Sequence, residues 1–513
     1  MSSVEPVHAP GPEDSDRPKP GLGVRDLAPR LMALAGLAAA LLPMALRRLI
    51  DGDEGYLLMG ARLVSEGQRP YADFFSPQTP GVAYAFGAWF SVFGRSWGSA
   101  RVLAGLVAVA TGMFLFEYVW RATRSRGWAF VSLVAFVGSG YVLGWLTIAK
   151  TYGLTAMFVM AGAVMLILDR SRWTSFAAGM CFALATETRL YALVAVVAGL
   201  VFLWQQRAFA PRGLWRELAG YALGVGAGAL FILPSVFAST EALWFGVVEY
   251  HGMREAGQNE LIGNFRQKWD ILRGLVVPER MEGPSDIQFS ITLALALVAR
   301  ASRSTPKGFG AAGLAWISLF VVSLLPTPSY PQYFSVVVPL MLADSFAALG
   351  QRRLRAVWAP VSILASFFVA MGAAEVARYT TTGINLPTVW TPDRAERWTL
   401  KTMRKVGREI DAQGIDEAAS WWPGYFVNTK TTIVRGLVND FGLRVANRVT
   451  PEKKQQYHLV SHEDMAGMIQ AQKPRLFVEG NWAATPVANL LPAHGYRLSS
   501  SHANVRLWVA PPP

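Results

Sequence analysis

Residues 51–74 read DGDEGYLLMGARLVSEGQRPYADF and directly follow the first hydrophobic span of the chain, residues 31–50. Asp51, Asp53 and Glu54 form an acidic cluster at the end of that span. Carboxylates are costly to place beside a membrane, so ionisable residues at such a position predict a functional site by default. The fold class and the chemistry of the chain can both be argued outward from this cluster.

The composition places much of the chain in a membrane. Of its 513 residues, 52% are hydrophobic and 16% are charged, whereas a soluble domain has about 25% charged residues. The net charge of +13 is explained by basic residues on one side of a bilayer, so we expect no nucleic-acid partner. Cys181 is the only cysteine, which excludes an intramolecular disulfide and a cysteine-based metal site.

About eleven apolar stretches approach the roughly 20 residues that a helix needs to cross the hydrocarbon. They are residues 31–50, 99–120, 127–146, 150–168, 174–187, 190–205, 217–237, 287–301, 309–326, 332–349 and 356–377. Residues 1–30 are rich in Pro, Gly and acidic residues, which predicts a disordered cytosolic tail. Because further spans follow the first one, we expect that span to be an uncleaved signal anchor.

The charges of the loops predict the orientation of the chain. With the N-terminus in the cytosol, every cytosolic loop is basic and the opposite loops carry most of the acidic residues, as the positive-inside rule requires. The basic residues of the cytosolic loops are Arg121, Arg124, Arg126, Arg170, Arg172, Arg207, Arg212, Arg216, Arg300, Arg303, Lys307, Arg352, Arg353 and Arg355. We expect an integral protein of a bacterial inner membrane.

The first outer loop and the C-terminal part have their own patterns. The loop, residues 51–98, contains two amphipathic stretches, 54–66 and 80–94, which predict helices lying on the membrane surface. From residue 378 onward charge increases, with β-like runs at 432–434, 475–479 and 505–509 and helical patterns at 394–410 and 461–472. The sequence therefore predicts a polytopic α-helical membrane protein, with a transmembrane domain over residues 31–377 and a C-terminal extracytoplasmic α/β domain over residues 378–513.

Two interpretations of the acidic cluster remain open. A carboxylate at the membrane surface can take the proton of an attacking hydroxyl, which contributes roughly 10²–10⁴-fold to a rate. Asp51 and Glu54, however, also have the spacing of a helix capping box, and carboxylates there favour the helix dipole. The cap explanation is weaker for Asp53, where we favour a catalytic role. Asp73 is a candidate substrate contact, or else a turn aspartate that bonds nearby backbone.

Lys150 and Arg189 are each the only basic residue of a short outer turn. A phosphate leaving group needs positive charge where negative charge develops, so both are candidates for phosphate contact. The alternatives are snorkelling towards the interface and, for Arg189, pairing with Glu187. Tyr333 opens a span at the outer boundary and is a candidate contact, or a member of an aromatic belt.

Other motifs limit the chemistry further. His251 and Glu255 are four residues apart, a helical spacing that could hold a metal ion. The chain has neither a phosphate loop of the Gly-x-x-x-x-Gly-Lys-Ser/Thr type nor a His-Glu-x-x-His motif. We therefore do not expect direct drive by ATP or metalloprotease activity.

The order of these motifs resembles the protein O-mannosyltransferase and aminoarabinose transferase group of the glycosyltransferase C superfamily. The resembling elements are Asp53 to Tyr56, Gly67 to Phe74, Pro80 to Tyr84, Ser99 to Leu103, Lys150 to Leu154 and Ala185 to Arg189. The resemblance covers residues 45–205, and the rest follows by layout. It implies an inverting transfer of a sugar from a polyprenyl-phosphate donor to a lipid, glycan or protein acceptor on the outer face. Asp53 and Glu54 would hold the acceptor and act as base.

One departure from the family pattern concerns the donor. Residues 78–80 read Gln-Thr-Pro where some relatives have Lys-Pro-Pro, so Arg189, Lys150 or Arg101 would have to contact the donor phosphate. Metal use differs among members of the superfamily, and the resemblance assigns neither a divalent metal nor another cofactor.

Two other classes of function are compatible with the pattern. A transporter or flippase of lipid-linked intermediates would need polar groups buried in the middle of spans. A non-catalytic envelope assembly protein would keep its function after an Asp53→Asn change.

Overall fold

The structure, a computed structural model, describes residues 24–168, 171–206, 213–255, 261–277, 284–301, 310–351, 358–381, 398–480, 486–503 and 505–512. Residues 1–23 of the predicted tail lie outside this part. So do several of the predicted cytosolic basic residues, namely Arg170, Arg207, Arg212, Arg303, Lys307, Arg352, Arg353 and Arg355.

The first helix begins earlier than the sequence pattern predicts. Helix α1 runs from Val24 to Arg47, so residues 24–30 are helical and do not belong to a disordered tail. The early start has a physical reason, because side chains of this first segment pair with the helices Trp97–Thr123 and Arg126–Gly138. Arg30 forms an ion pair with Glu117, and Asp26 forms one with Arg126.

The N-terminal three quarters of the described chain is helical. After α1, its helices are α2 Gly52–Ser65, α3 Gly81–Phe93, α4 Trp97–Thr123, α5 Arg126–Gly138, α6 Gly140–Trp145, α7 Thr151–Ile167, α8 Arg172–Thr188, α9 Leu193–Gln205, α10 Leu214–Ala229, α11 Leu233–Trp244, α12 Tyr250–Glu255, α13 Leu261–Val276, α14 Pro284–Ala301, α15 Ala311–Ser323, α16 Val337–Gly350 and α17 Trp358–Thr381. Short 3₁₀ turns at Leu190–Ala192 and Pro331–Val336 precede α9 and α16.

The prediction of a membrane protein is confirmed, and every predicted span overlaps a helix. Helical segments long and apolar enough to cross a bilayer are found in the described part at Asp26–Arg47, Trp97–Thr123, Leu214–Met253, Pro331–Gly350 and Val361–Thr381. Shorter apolar helices occupy Gly81–Phe93, Arg126–Gly138, Thr151–Ile167, Leu190–Gln205 and Ala311–Ser323. The count of about eleven crossings stays a prediction.

One predicted span, residues 127–146, is broken in the middle. The chain leaves helical geometry at Ser139, between α5 and α6. Gln288 of α14 satisfies the backbone groups at the break, because its Oε1 accepts from Gly140 N–H (2.7 Å) and its Nε2 donates to Gly138 O (2.6 Å). Inside a bilayer such a break is tolerated only where neighbouring side chains replace the lost helical bonds.

The two amphipathic stretches of the first predicted loop are helices, α2 and α3, and we call these the loop helices. They pack closely, since a Cβ on Gly87 of α3 would lie 2.7 Å from a Val64 methyl of α2. Apolar side chains on the faces towards each other are buried, among them Leu58, Leu63, Phe86 and Phe90. Burial of these faces is the main stabilisation of such helices.

Residues 398–512 form the C-terminal unit, which contains a small mixed sheet. Its helices are α18 Leu400–Asp411, α19 Pro451–Gln456, α20 His462–Gln470 and α21 Leu490–Ala493, and its strands are β1 Glu417–Ser420, β2 Thr432–Ile433, β3 Leu476–Glu479, β4 Arg497–His502 and β5 Val505–Val509. The sheet order is β2-β1-β3-β5-β4, with β1 parallel to β2 and β3, and β5 antiparallel to β3 and β4.

The C-terminal unit packs directly on the loop helices. One continuous hydrophobic cluster joins side chains of α2, α3 and α4 to those of the sheet. Arg62 of α2 is buried beneath the unit, where it contacts Phe426 O and donates to Thr431 O (3.1 Å). Trp97 at the start of α4 donates its indole N–H to Gly424 O (3.0 Å). The unit therefore shares a core with the loop helices.

Candidate active site

Helix α2 begins at the acidic cluster. The Asp51 side chain accepts a hydrogen bond from the Asp53 N–H (3.1 Å), and Glu54 Oε2 accepts one from the Asp51 N–H (2.9 Å). These bonds form a capping box, so the capping-box interpretation of the spacing is confirmed. Burial alone would raise the pKa of Asp51, but Lys150 and Arg48 outweigh burial, and the pKa lies below its usual value.

Glu54 is fully buried and paired with Arg101 of α4. Glu54 Oε2 lies 2.6 Å from Arg101 Nη2, and neither side chain has exposed surface. The other terminal N–H groups of Arg101 donate to the carbonyl oxygens of Ala45, Arg48 and Leu49. The sequence predicts a catalytic role for Glu54 and a substrate contact for Arg101. In the structure the two side chains face each other and join the end of α1 to the start of α2, and their predicted roles in catalysis and substrate binding stay predictions.

Lys150 bridges the other two carboxylates of the cluster. Its Nζ lies 2.9 Å from Asp51 Oδ1 and 2.7 Å from Asp53 Oδ2. The ammonium also lies 5.0 Å from the ring centre of Trp145 and 5.6 Å from that of Tyr152, within the range of cation–π attraction. The structure thus brings together two predicted site residues that are 97 positions apart.

Asp53 is the accessible carboxylate of the three. Its side chain is 32% exposed, compared with 7% for Asp51 and 0% for Glu54. Lys150 holds its Oδ2, and Oδ1 has no hydrogen-bond partner in the described part of the chain. A carboxylate that is fixed through one oxygen and open at the other can accept the proton of a bound hydroxyl.

Arg189 lies among three tyrosine rings. Its guanidinium carbon is 4.6 Å from the ring centre of Tyr152 and 4.5 Å from those of Tyr191 and Tyr333. Its Nη1 donates to Thr151 Oγ1 (2.8 Å). Burial would lower the pKa of Arg189, but the three phenols outweigh burial and raise the pKa, so the side chain stays a cation.

No carboxylate of the described residues neutralises the positive charge of Arg189. Within the described ranges it forms no ion pair, so the predicted alternative of pairing with Glu187 is not what the structure has. Because Tyr152 contacts both Arg189 and Lys150, the two cations lie around one aromatic ring. Asp53, Lys150, Arg189 and Tyr333, all predicted from the sequence, therefore form one connected group, and Arg189 can meet an anion.

Asp73 is bonded within its own turn. Its Oδ2 accepts from the Arg69 N–H (2.8 Å) and lies 3.3 Å from Arg69 Nε. Burial would raise the pKa of Asp73, but these bonds to Arg69 outweigh it and the pKa is lowered. This is the turn geometry of the alternative interpretation. No contact in the described part joins Asp73 to the Asp53 group, and its role in substrate binding stays a prediction.

The metal interpretation of His251 also stays a prediction. His251 Nε2 lies 3.0 Å from Pro77 O, and the side chain of Glu255 lies outside the part that the structure describes. Among the described residues, no three His, Cys, Asp or Glu side chains are grouped so that they could hold a metal ion. At the acidic cluster the cation between the carboxylates is the ammonium of Lys150.

Sequence reasoning missed three aromatic side chains around the candidate site, those of Tyr152, Tyr191 and Trp422. Tyr152 and Tyr191 each follow a predicted cation by two positions, and this shared Lys/Arg-x-Tyr spacing was the available signal. Trp422, two residues after β1, had no such signal because it is distant in sequence from α2. Its indole N–H donates to Gly52 O (2.8 Å), and its ring leaves no room for a Cβ on Gly55, which would lie 2.4 Å from Nε1.

No protein-family model matches the chain, and no curated protein matches it by sequence. Among solved structures, ArnT from Cupriavidus metallidurans bound to undecaprenyl phosphate aligns with a TM-score of 0.63 and 13% identity, over 96% of this chain and 100% of that one. The apo state of ArnT aligns with a TM-score of 0.58 and 11% identity, over 94% and 99%. The arabinofuranosyltransferase AftD from mycobacteria aligns with a TM-score of 0.52 and 16% identity, over 97% of this chain and 40% of that one. At such identities the likeness is one of fold, and it extends over nearly the whole chain.

Proposed function

We propose that this chain, which has the fold of the glycosyltransferase C superfamily, is a membrane glycosyltransferase. It moves a sugar from a polyprenyl-phosphate donor to a lipid, glycan or protein acceptor on the outer face of a bacterial inner membrane. One observation carries the proposal. An accessible carboxylate, Asp53, is joined through Lys150 and Tyr152 to Arg189, a cation without an acidic partner in the described part.

The reaction needs a base and an anion site at one surface. The oxygen of an acceptor hydroxyl attacks C1 of the sugar and forms the new glycosidic bond. The bond between C1 and the phosphate oxygen breaks, its electron pair leaves with the carrier phosphate, and Asp53 takes the hydroxyl proton. Attack from the face opposite to the leaving phosphate inverts the configuration at C1.

We assign each residue of the site a separate role in this reaction. Asp53 acts as base, and Arg189 with Tyr333 contacts the phosphate, where negative charge develops. Lys150 is engaged with two carboxylates, so we assign it to fixing Asp53 and place the phosphate nearer Arg189. Glu54 and Arg101 are positioning residues, because each is buried and bonded to the other.

The proposal is tested by transfer of label. Purified protein in detergent is incubated with radiolabelled undecaprenyl-phosphate sugars of several kinds and a membrane-lipid extract. We expect the wild type to transfer label from one of these donors, and Asp53→Asn to lose roughly 10²–10⁴-fold of that rate. Binding of the carrier without transfer, unchanged in Asp53→Asn, would contradict the proposal and favour a flippase or an assembly protein.

A further inference from the structure

Four buried polar atoms, on Arg189 and on two segments beside it, have no hydrogen-bond partner among the residues that the structure describes. They are Gln78 Oε1, Thr79 Oγ1, Glu187 Oε2 and Arg189 Nε. None of them has a hydrogen bond in the part of the chain that the structure describes, and Thr79 and Glu187 are only 6% and 7% exposed. Buried polar groups are nearly always hydrogen-bonded, so unpaired atoms of this kind call for a ligand or a functional explanation.

The four atoms belong to two segments that touch. A Cβ on Gly81 would lie 2.4 Å from the carbonyl oxygen of Glu187 and 3.0 Å from the Thr188 nitrogen. The start of α3, two residues after Thr79, therefore packs directly on the end of α8. The Glu187 carboxylate also lies near the loop tyrosine Tyr84, where burial first and then the charge of Glu187 raise the pKa of the phenol.

Residues 78–79 and residues 187–189 both contact neighbours of the proposed catalytic residues Asp53 and Lys150. Gln78 Nε2 donates to Tyr56 OH (3.4 Å), and Tyr56 lies one turn after Asp53 on α2. On the other side, Arg189 donates to the hydroxyl of Thr151, the neighbour of Lys150. The unpaired atoms thus lie between the loop helices and the end of α8, beside the place where Asp53 and Arg189 would act.

The chemistry of these atoms specifies a class of ligand. Three of the four are acceptors, and the carboxylate can accept from two neighbouring hydroxyls at once. A sugar ring presents a row of hydroxyl donors, and in the donor molecule the sugar is bonded directly to the phosphate that Arg189 would contact. Some relatives have Lys-Pro where this chain has Gln78-Thr79. The neutral amide and hydroxyl groups of Gln78 and Thr79 can bond to sugar hydroxyls but do not neutralise a phosphate.

We propose that Gln78, Thr79 and Glu187 form a subsite for the hydroxyl groups of the donor sugar, with Glu187 as its main specificity-determining residue. The inference rests on the proposed function, because it takes the phosphate of the same donor to lie at Arg189. It adds to that function the side chains that would distinguish a sugar-bearing carrier from the bare carrier phosphate.

The test compares two probes on the full-length protein in detergent. One is undecaprenyl phosphate, and the other is the undecaprenyl-phosphate sugar that the wild type binds most tightly in a panel. We expect Glu187→Gln to weaken binding of the sugar-bearing probe roughly two- to tenfold, because the amide offers one acceptor oxygen where the carboxyl group offers two. Thr79→Val, which removes only a hydroxyl, should weaken it roughly two- to tenfold. Binding of undecaprenyl phosphate should stay within about twofold for both variants.

Two further variants make the outcomes distinguishable. Arg189→Gln should weaken both probes, because it acts on the phosphate. Glu375→Gln should weaken neither, since Glu375 is also a buried carboxylate with an unpaired oxygen but lies in α17, beside Ser285. Equal effects of Glu187→Gln on both probes, or none on either, would overturn the subsite while Arg189 still supports the function. If the wild type binds no sugar-bearing carrier and transfers no label, the proposed function and the subsite fail together.

Discussion

At the scale of single residues, three neighbouring carboxylates have three different roles. Asp51 caps α2, and Glu54 forms a fully buried ion pair with Arg101. Only Asp53 is partly exposed to solvent. The sequence positions of the three carboxylates do not explain these differences. The differences arise because α4 brings Arg101 under the start of α2, and the α6–α7 connection brings Lys150 beside it.

A stability measurement separates Glu54 from Asp53. Removing one partner of a buried ion pair leaves an uncompensated charge and costs about 3–5 kcal/mol. We expect Glu54→Gln to lower the melting temperature in detergent clearly, and Asp53→Asn to change it little, because Asp53 is partly solvated. A combined Glu54→Gln, Arg101→Met variant should recover part of the loss. Equal melting temperatures for wild type and Glu54→Gln would show that the pair does not hold α2.

The residue types of the site could be predicted from the sequence, but not all of their neighbours. Asp53, Lys150 and Arg189 were candidates because ionisable side chains are costly at a membrane boundary, and Tyr333 was a candidate because it opens a span there. The burial of Arg101 could not be predicted, since it depends on how α4 packs against α1. Gln78 and Thr79 gave no signal of their own, because polar residues in a loop are ordinary.

At the scale of elements, the periodic helices were predictable, and the strands were predictable where apolar or β-branched residues mark them. The patterns placed α2 and α3 within a few residues of their bounds, and they found β2, β3 and β5. They missed β1 and β4. β4 carries mostly Ser and His and is largely exposed, so it has no apolar alternation. β1 reads Glu-Ala-Ala-Ser and lacks the β-branched and aromatic residues that mark a strand. Both form because β3 and β5 offer them a partner in the sheet.

A glycine in α2 tests the contact between this helix and the C-terminal unit. A Cβ at Gly55 would lie within 2.7 Å of three atoms of the Trp422 indole, so Gly55→Ala must move either the helix or the ring. A displacement of about 1 Å at a catalytic group can lower a rate about 10²-fold. We expect such a loss of transfer in Gly55→Ala.

The matched control is Gly36→Ala in α1, where a Cβ would meet nothing within 4 Å. This variant should transfer label at the wild-type rate. Full activity of Gly55→Ala would mean that support from Trp422 does not matter for the position of Asp53.

At the scale of the whole molecule, the arrangement of helices is similar to that of ArnT although the two sequences have little in common. The likeness to ArnT extends over 96% of this chain at 13% identity. Helix packing in a membrane depends on small residues at close contacts, as at Gly112 against Leu37 and Gly162 against Phe182. Many sequences meet this requirement. The apolar spans therefore predicted only the polytopic helical class, and the resemblance of the motifs in residues 45–205 was needed to predict the particular fold.

The orientation of the chain can be tested by cysteine labelling. In a Cys181→Ala background, single cysteines replace Glu452 in the C-terminal unit and Arg216 in the first turn of α10, both at exposed positions. A membrane-impermeant maleimide should label the first in intact spheroplasts, and the second only after the membrane is permeabilised. The positive-inside rule gives this expectation. The reverse pattern would place the acidic cluster and Arg189 on the cytosolic side.

The measurement that tests the central claim most directly is a single-turnover transfer with the donor already bound. Wild type and Asp53→Asn are loaded with the same labelled undecaprenyl-phosphate sugar, the bound fraction is measured, and acceptor is then added. With Asp53 as base, both proteins bind equal amounts of donor, and the rate of transfer falls roughly 10²–10⁴-fold in the variant. Equal rates in the two proteins would contradict the account, because the accessible carboxylate would then not take part in the chemistry.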